Sequence, residues 1–165
     1  TQTLRSGGDQ PATASTRDQP EVLVNYTREC MAGDKSDMIN TNLYSAYHLT
    51  RGIVHKMSTT GKAYIFNICS IAGLQAYHNG GAYSISKFAL NGFTKNLREE
   101  LKEKNIRVSA VHPGATMSNS WADSGIAEER IMEANDIAIA IWSAYSMSTQ
   151  AVVEDIILRP QLGDL

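Results

Sequence analysis

The chain has 165 residues, 42% of them hydrophobic and 19% charged, which is enough apolar material to pack one domain and too much for a disordered chain. Lys and Arg number 15 against 17 Asp and Glu, a net charge of −2, and that balance excludes a strongly basic nucleic-acid binder. No apolar run reaches the roughly 18–20 residues of a membrane span, and two cysteines, Cys30 and Cys69, make neither a disulfide framework nor a metal knuckle.

Residues 1–20 are rich in Gly, Ser, Thr, Gln and Pro and read as an irregular or disordered remnant. The opening TQTLRSGGDQ has no apolar h-region, so a reducing, cytoplasmic setting is expected. Residues 21–165 read as one folded unit. Residues 21–25 form a short apolar strand, and a loop follows over 26–36. A helix is predicted over 37–57, with Ile39, Leu43, Ala46, Tyr47, Ile53 and Val54 at near-helical spacing.

A second strand is predicted over 63–69, then a loop over 70–81. A long helix over 82–104 places Leu90, Phe93, Leu97 and Leu101 on one face. Asn105 ends it, and residues 106–111 form a third strand that His112-Pro113-Gly114 breaks. A polar stretch covers 115–126, helices are predicted near 127–134 and over 136–147, and a fourth strand over 152–158. Strands alternating with helices of crossover length imply βαβ units, hence a parallel sheet with helices on both faces.

Within this frame three residues suggest chemistry. Tyr83 and Lys87 stand at i and i+4 near the start of the long helix, so their side chains project into the same space. An ammonium beside a phenol favours phenolate. Ser70 follows the second strand, at the carboxyl edge where open α/β sheets bind ligands. Taken alone, a Tyr-x-x-x-Lys pair is equally a surface pair of small energy. Other readings are bland: His48 and His55 lack a third ligand, so no metal site is expected, and His112 is read as structural.

Four strings lift the Tyr–Lys pair above that level. They are Asn42-Leu43, Asn67-Ile68-Cys69-Ser70-Ile71-Ala72-Gly73, Ala82-Tyr83-Ser84-Ile85-Ser86-Lys87-Phe88-Ala89-Leu90 and His112-Pro113-Gly114. In order and spacing they resemble the short-chain dehydrogenase/reductase family. The resemblance implies a Rossmann-like, doubly wound parallel sheet in a three-layer α/β/α arrangement. It implies Tyr83 as general acid/base, Lys87 as the cation that lowers its pKa and holds the nicotinamide ribose, and Ser70 as the group that positions the substrate oxygen. Asn42 is implied to organise a water relay from Lys87. Asn25, Pro113, Gly114, Ala115 and Ser118 are implied to meet the cofactor, together with Tyr83 and Lys87. His78 and Trp121 are expected beside the substrate.

The implied activity is NAD(P)-dependent interconversion of a small-molecule carbonyl and an alcohol. NADP is taken ahead of NAD. The implied assembly is a homodimer or homotetramer through helices 37–57 and 82–104. The family's opening strand and glycine-rich turn, TGxxxGxG, have no counterpart here, so the N-terminal strands are expected to be missing and 21–165 to be the C-terminal portion of the domain. A catalytically silent fragment, acting as an oligomerising or binding module, is the rival expectation.

Overall fold

The computed structural model describes residues 22–25, 35–57, 62–77, 80–119, 121 and 124–165, with the main chain alone at 22–25 and 35. The expectation for residues 1–20 lies outside them. Strands β1 (Val22–Asn25), β2 (Tyr64–Ile68), β3 (Arg107–Pro113) and β4 (Asp155–Leu158) form one sheet in the order β1-β2-β3-β4. All three pairings are parallel, so every strand's carboxyl end lies along one edge.

Alternation along β2 assigns the two faces of the sheet. Ile65 packs with Val108, Leu97 and Leu101 on one face. Tyr64 and Phe66 pack with Val111 and Ala144 on the other. Helix α3 (Gly81–Leu101) covers the first face and α4 (Ala134–Tyr145) the second, which completes the α/β/α layering. Asn105 ends the α3 helical run in the left-handed region, at φ 56°, a conformation that asparagine tolerates better than most residues. Among the described residues, no helix is long and apolar enough to cross a membrane.

The predicted helix 37–57 is a composite. Helix α1 (Lys35–Ile39) runs through a π turn (Asn40–Tyr44) into α2 (Ser45–Ile53) and a 3-10 turn (Val54–Lys56). Its buried residues are Met38, Asn42, Ala46 and Thr50, four apart each time. A regular helix overshoots by about 40° at each step of four residues, and the wider π turn takes part of that back. The π turn thus rephases the helix, and Ile39, Leu43 and Tyr47 are only half-buried.

Two further expectations are corrected. His112-Pro113 does not break β3, which continues to Pro113 paired with Leu158. Proline's missing N–H costs no ladder bond here, because position 113 faces the β2 side, where pairing has ended at Val111, and Gly114 N resumes the ladder with β4 by donating to Leu158 O at 2.7 Å. The helix near 127–134 is a single 3-10 turn, Glu128–Arg130. Met132 N donates to Ala115 O, and Met117 N to Met132 O, so main-chain pairing with the segment after β3 takes up the groups a helix would have used.

Candidate active site

The parallel topology brings the carboxyl ends of β1, β2 and β3 to one edge, and the sequence-predicted residues stand there. Asn25 ends β1, level with Asn67 of β2. Ser70 follows β2, and its hydroxyl accepts from Ala72 N at 3.1 Å as the cap of a 3-10 turn, Ile71–Gly73. Pro113 and Gly114 end β3.

Helix α3 grips this edge with a line of polar side chains on its buried face. Ser84 Oγ donates to Ala72 O at 2.7 Å. Lys87 Nζ donates to Ile68 O at 3.2 Å. Asn91 Nδ2 donates to Gly73 O at 3.4 Å. Thr94 Oγ1 accepts from Asn67 Nδ2 at 2.8 Å. The spacing 84, 87, 91, 94 is that of one helical face, so the stripe ties α3 to β2 and to the turn that carries Ser70. Sequence reasoning followed the apolar face of this helix and missed the polar one, although the same spacing rule finds it.

Tyr83 is half-buried in the first turn of α3, and Lys87 is 1% exposed one turn later. The Lys87 ammonium stands 5.6 Å from the Tyr83 ring centroid, inside cation–π range. An ammonium taken out of water needs partners, and the Ile68 carbonyl and the Tyr83 ring supply them. Asn42, 1% exposed on the π turn, donates through Nδ2 to Ser86 Oγ at 2.8 Å. Ser86 Oγ in turn donates to Tyr83 O at 2.7 Å. The structure therefore joins Asn42, Tyr83, Lys87 and the Ser70 turn in one connected region.

The remaining predicted residues are placed with less consequence. Ala115 is buried and its carbonyl accepts from Met132 N. Ser118 is half-buried, and its carbonyl accepts from Trp121 N at 2.9 Å. The Asn25 side chain and His78 lie outside the described residues. Among the described residues, no group of three His, Cys, Asp or Glu side chains is arranged for a metal ion. The C-terminal tail reaches back beside the Ser70 turn, where Asp164 Oδ2 accepts from the Tyr77 hydroxyl at 3.3 Å and pairs with Arg159.

Cys69, next to Ser70, is buried, and burial pushes its thiol from 9.0 up to about 11, with Lys87 pulling the other way. The folded state holds this proton harder than the unfolded chain does. The thiol's contribution to stability is therefore complete below pH 9.0 and is lost as pH rises toward about 11. Thiolate is the reactive form, so native protein treated with iodoacetamide near neutral pH is expected to leave Cys69 unmodified. Denatured protein alkylates it, and peptide mass mapping reads the difference. Alkylation of Cys69 at equal rates in both states would contradict its burial.

The family model for short chain dehydrogenases matches residues 24–129. A sepiapterin reductase of Chlorobaculum tepidum is 33% identical over 128 residues, which cover 77% of this chain and 52% of that protein. A short-chain dehydrogenase/reductase of Talaromyces verruculosus is 39% identical over 82 residues, half of this chain and 32% of that one. The chain thus spans about half the length of the sepiapterin reductase it resembles. Among solved structures, a closed serine dehydrogenase complexed with NADP+ superposes with a TM-score of 0.75 at 22% identity, covering 88% of this chain and 66% of that one. A metagenomic short-chain oxidoreductase in complex with NADP gives 0.66 at 28% identity, covering 86% and 62%.

Proposed function

The chain belongs to the short-chain dehydrogenase family, and from that premise we propose that it carries the active site of an NAD(P)-dependent oxidoreductase interconverting a small-molecule carbonyl and an alcohol. The observation that carries this reading is the buried Lys87 ammonium, held by the carbonyl of Ile68 and set against the ring of Tyr83. Nothing in packing alone calls for an ammonium there, because a leucine of similar volume needs no partners.

The donor set suits the nicotinamide end of the cofactor. Lys87 and Tyr83 would hold its ribose, and Asn25 with the Pro113-Gly114-Ala115 segment and Ser118 would meet its nicotinamide. When bound, the nicotinamide supplies or accepts the hydride. The chain's own residues handle the oxygen and its proton. A carbonyl that gains a hydride becomes an alkoxide, which needs an acid at hydrogen-bond distance. The Tyr83 phenol gives that proton, or takes it in the reverse direction. Lys87 favours the phenolate by its charge. Ser70 orients the substrate oxygen, and its rotamer is held by Ala72 N. Asn42 sits on the far side of the helix start, tied to it through Ser86, and serves the path by which the proton is replaced. Trp121 and His78 border the substrate.

The reading extends to the whole protein. Residues 21–165 are the C-terminal portion of a single Rossmann-like domain. Tyr44 on the π turn and Leu49 on α2, with Ile85 and Phe88 on α3, are large apolar side chains 45–60% exposed, and they support a homodimer or homotetramer through these two helical runs. NADP is kept ahead of NAD in this reading, and the solved neighbours include complexes with NADP and with NADH. A cytoplasmic setting accords with Cys69 as a free thiol.

The test uses the full-length gene product. Fluorescence titration with NADPH and NADH is expected to show binding, tighter for NADPH. Loss of reduced-nicotinamide absorbance is expected with at least one member of a panel of ketones, aldehydes and acyl thioesters. No binding of either dinucleotide would overturn the reading.

A further inference from the structure

We propose that His112 is a positioning residue for Ser70, clamping the main chain of the Ser70 turn to Asp155 across the sheet. The inference rests on the oxidoreductase reading only for its kinetic consequence. His112 lies in β3 and its side chain is fully buried, so it touches neither solvent nor substrate. Its Nδ1 is 3.2 Å from Ser70 O, and its Nε2 is 2.9 Å from Asp155 Oδ1, the first residue of β4.

The two partners determine the ring's protons. A main-chain carbonyl only accepts, so Nδ1 carries a hydrogen directed at Ser70 O. A bare Nε2 at 2.9 Å from a carboxylate oxygen would set lone pair against lone pair, so a second proton lies between Nε2 and Oδ1. Ser70 O also accepts from Gly73 N at 2.9 Å. The peptide plane after Ser70 is thus fixed by two donors, and the Ser70 side chain by a third, Ala72 N. Asp155 orients His112, and His112 holds the serine.

The substitution series follows from the tautomer. In Asp155→Asn the side-chain amide can donate to Nε2, which keeps the hydrogen on Nδ1 and preserves the clamp. Asp155→Leu leaves Ser70 O as the ring's only acceptor, so Nδ1 keeps its hydrogen, but the Nε2 end of the ring loses the partner that orients it. His112→Phe removes the clamp outright. In the full-length gene product, Asp155→Leu and His112→Phe are expected to lower kcat by roughly ten- to a hundredfold, as for a misplaced reacting group. Asp155→Asn is expected to stay near wild type, and dinucleotide affinity to stay constant throughout.

Nitrogen NMR of histidine-labelled protein gives a readout independent of turnover. A protonated Nδ1 at His112 in wild type, Asp155→Asn and Asp155→Leu supports the clamp. A hydrogen on Nε2 alone in wild type overturns it, as do equal kcat losses in Asp155→Asn and Asp155→Leu. Asp155 is partly exposed, so its pair of variants carries the test if His112→Phe fails to fold. A wild-type protein without reductase activity would remove the oxidoreductase reading, and the NMR result would still decide the clamp.

Discussion

Replacing Tyr83 by Phe is expected to lower kcat by roughly 10²–10⁴-fold, the range that a positioned acid/base contributes. The substitution is narrow by construction of the site. Tyr83 is half-buried, with the Lys87 ammonium 5.6 Å from its ring centroid, and a phenyl ring keeps that cation–π contact. Its carbonyl, which accepts from Ser86 Oγ, is main chain and unaffected. What disappears is the hydroxyl alone. Thermal unfolding should therefore match wild type and dinucleotide affinity should fall only severalfold, by loss of the hydroxyl's contact to the ribose, while steady-state turnover collapses. A Tyr83→Phe protein that turns over at the wild-type rate would remove Tyr83 from the proposed acid/base role.

The elements nearest this site were the most readable in the sequence, for a physical reason. Tyr83 and Lys87 share one helix, so a four-residue spacing is already a statement about space. The alternation of strand and helix likewise determines a parallel sheet, and with it the edge where Ser70 and Gly114 fall. Contacts that cross from one element to another left no such periodic trace. His112 reads as structural when seen beside Pro113, yet it reaches Ser70 and Asp155, 42 and 43 residues away. Asn42 was implied by resemblance, but the π turn that rephases its helix follows from packing against α3 and not from local propensity. Residues 127–134 hold helix-forming residues, and main-chain pairing of Met132 with the segment after β3 overrides them.

Gly73 tests whether the close seat of α3 on the Ser70 turn holds the site together. A Cβ built at Gly73 falls 2.7 Å from Lys87 O and 2.8 Å from Lys87 C. Those are main-chain atoms inside a 21-residue helix, so they cannot swing aside as the tip of a side chain would. Gly73→Ala must push the 3-10 turn away from α3, at a cost of about 1–3 kcal/mol for overpacking. The same displacement strains Ser84 Oγ to Ala72 O and Asn91 Nδ2 to Gly73 O, so Ser70 moves relative to Lys87 and turnover falls as well. Gly92 is the internal control. It lies exposed on the same helix, and a Cβ there meets nothing within 4 Å. Gly92→Ala should stabilise the protein by roughly 0.4–1 kcal/mol through the unfolded state. Urea denaturation would show the two midpoints moving in opposite directions at constant m. A Gly73→Ala midpoint at or above wild type would mean that the turn has room to relax, and that the tight approach of the helix is not what keeps Ser70 in place.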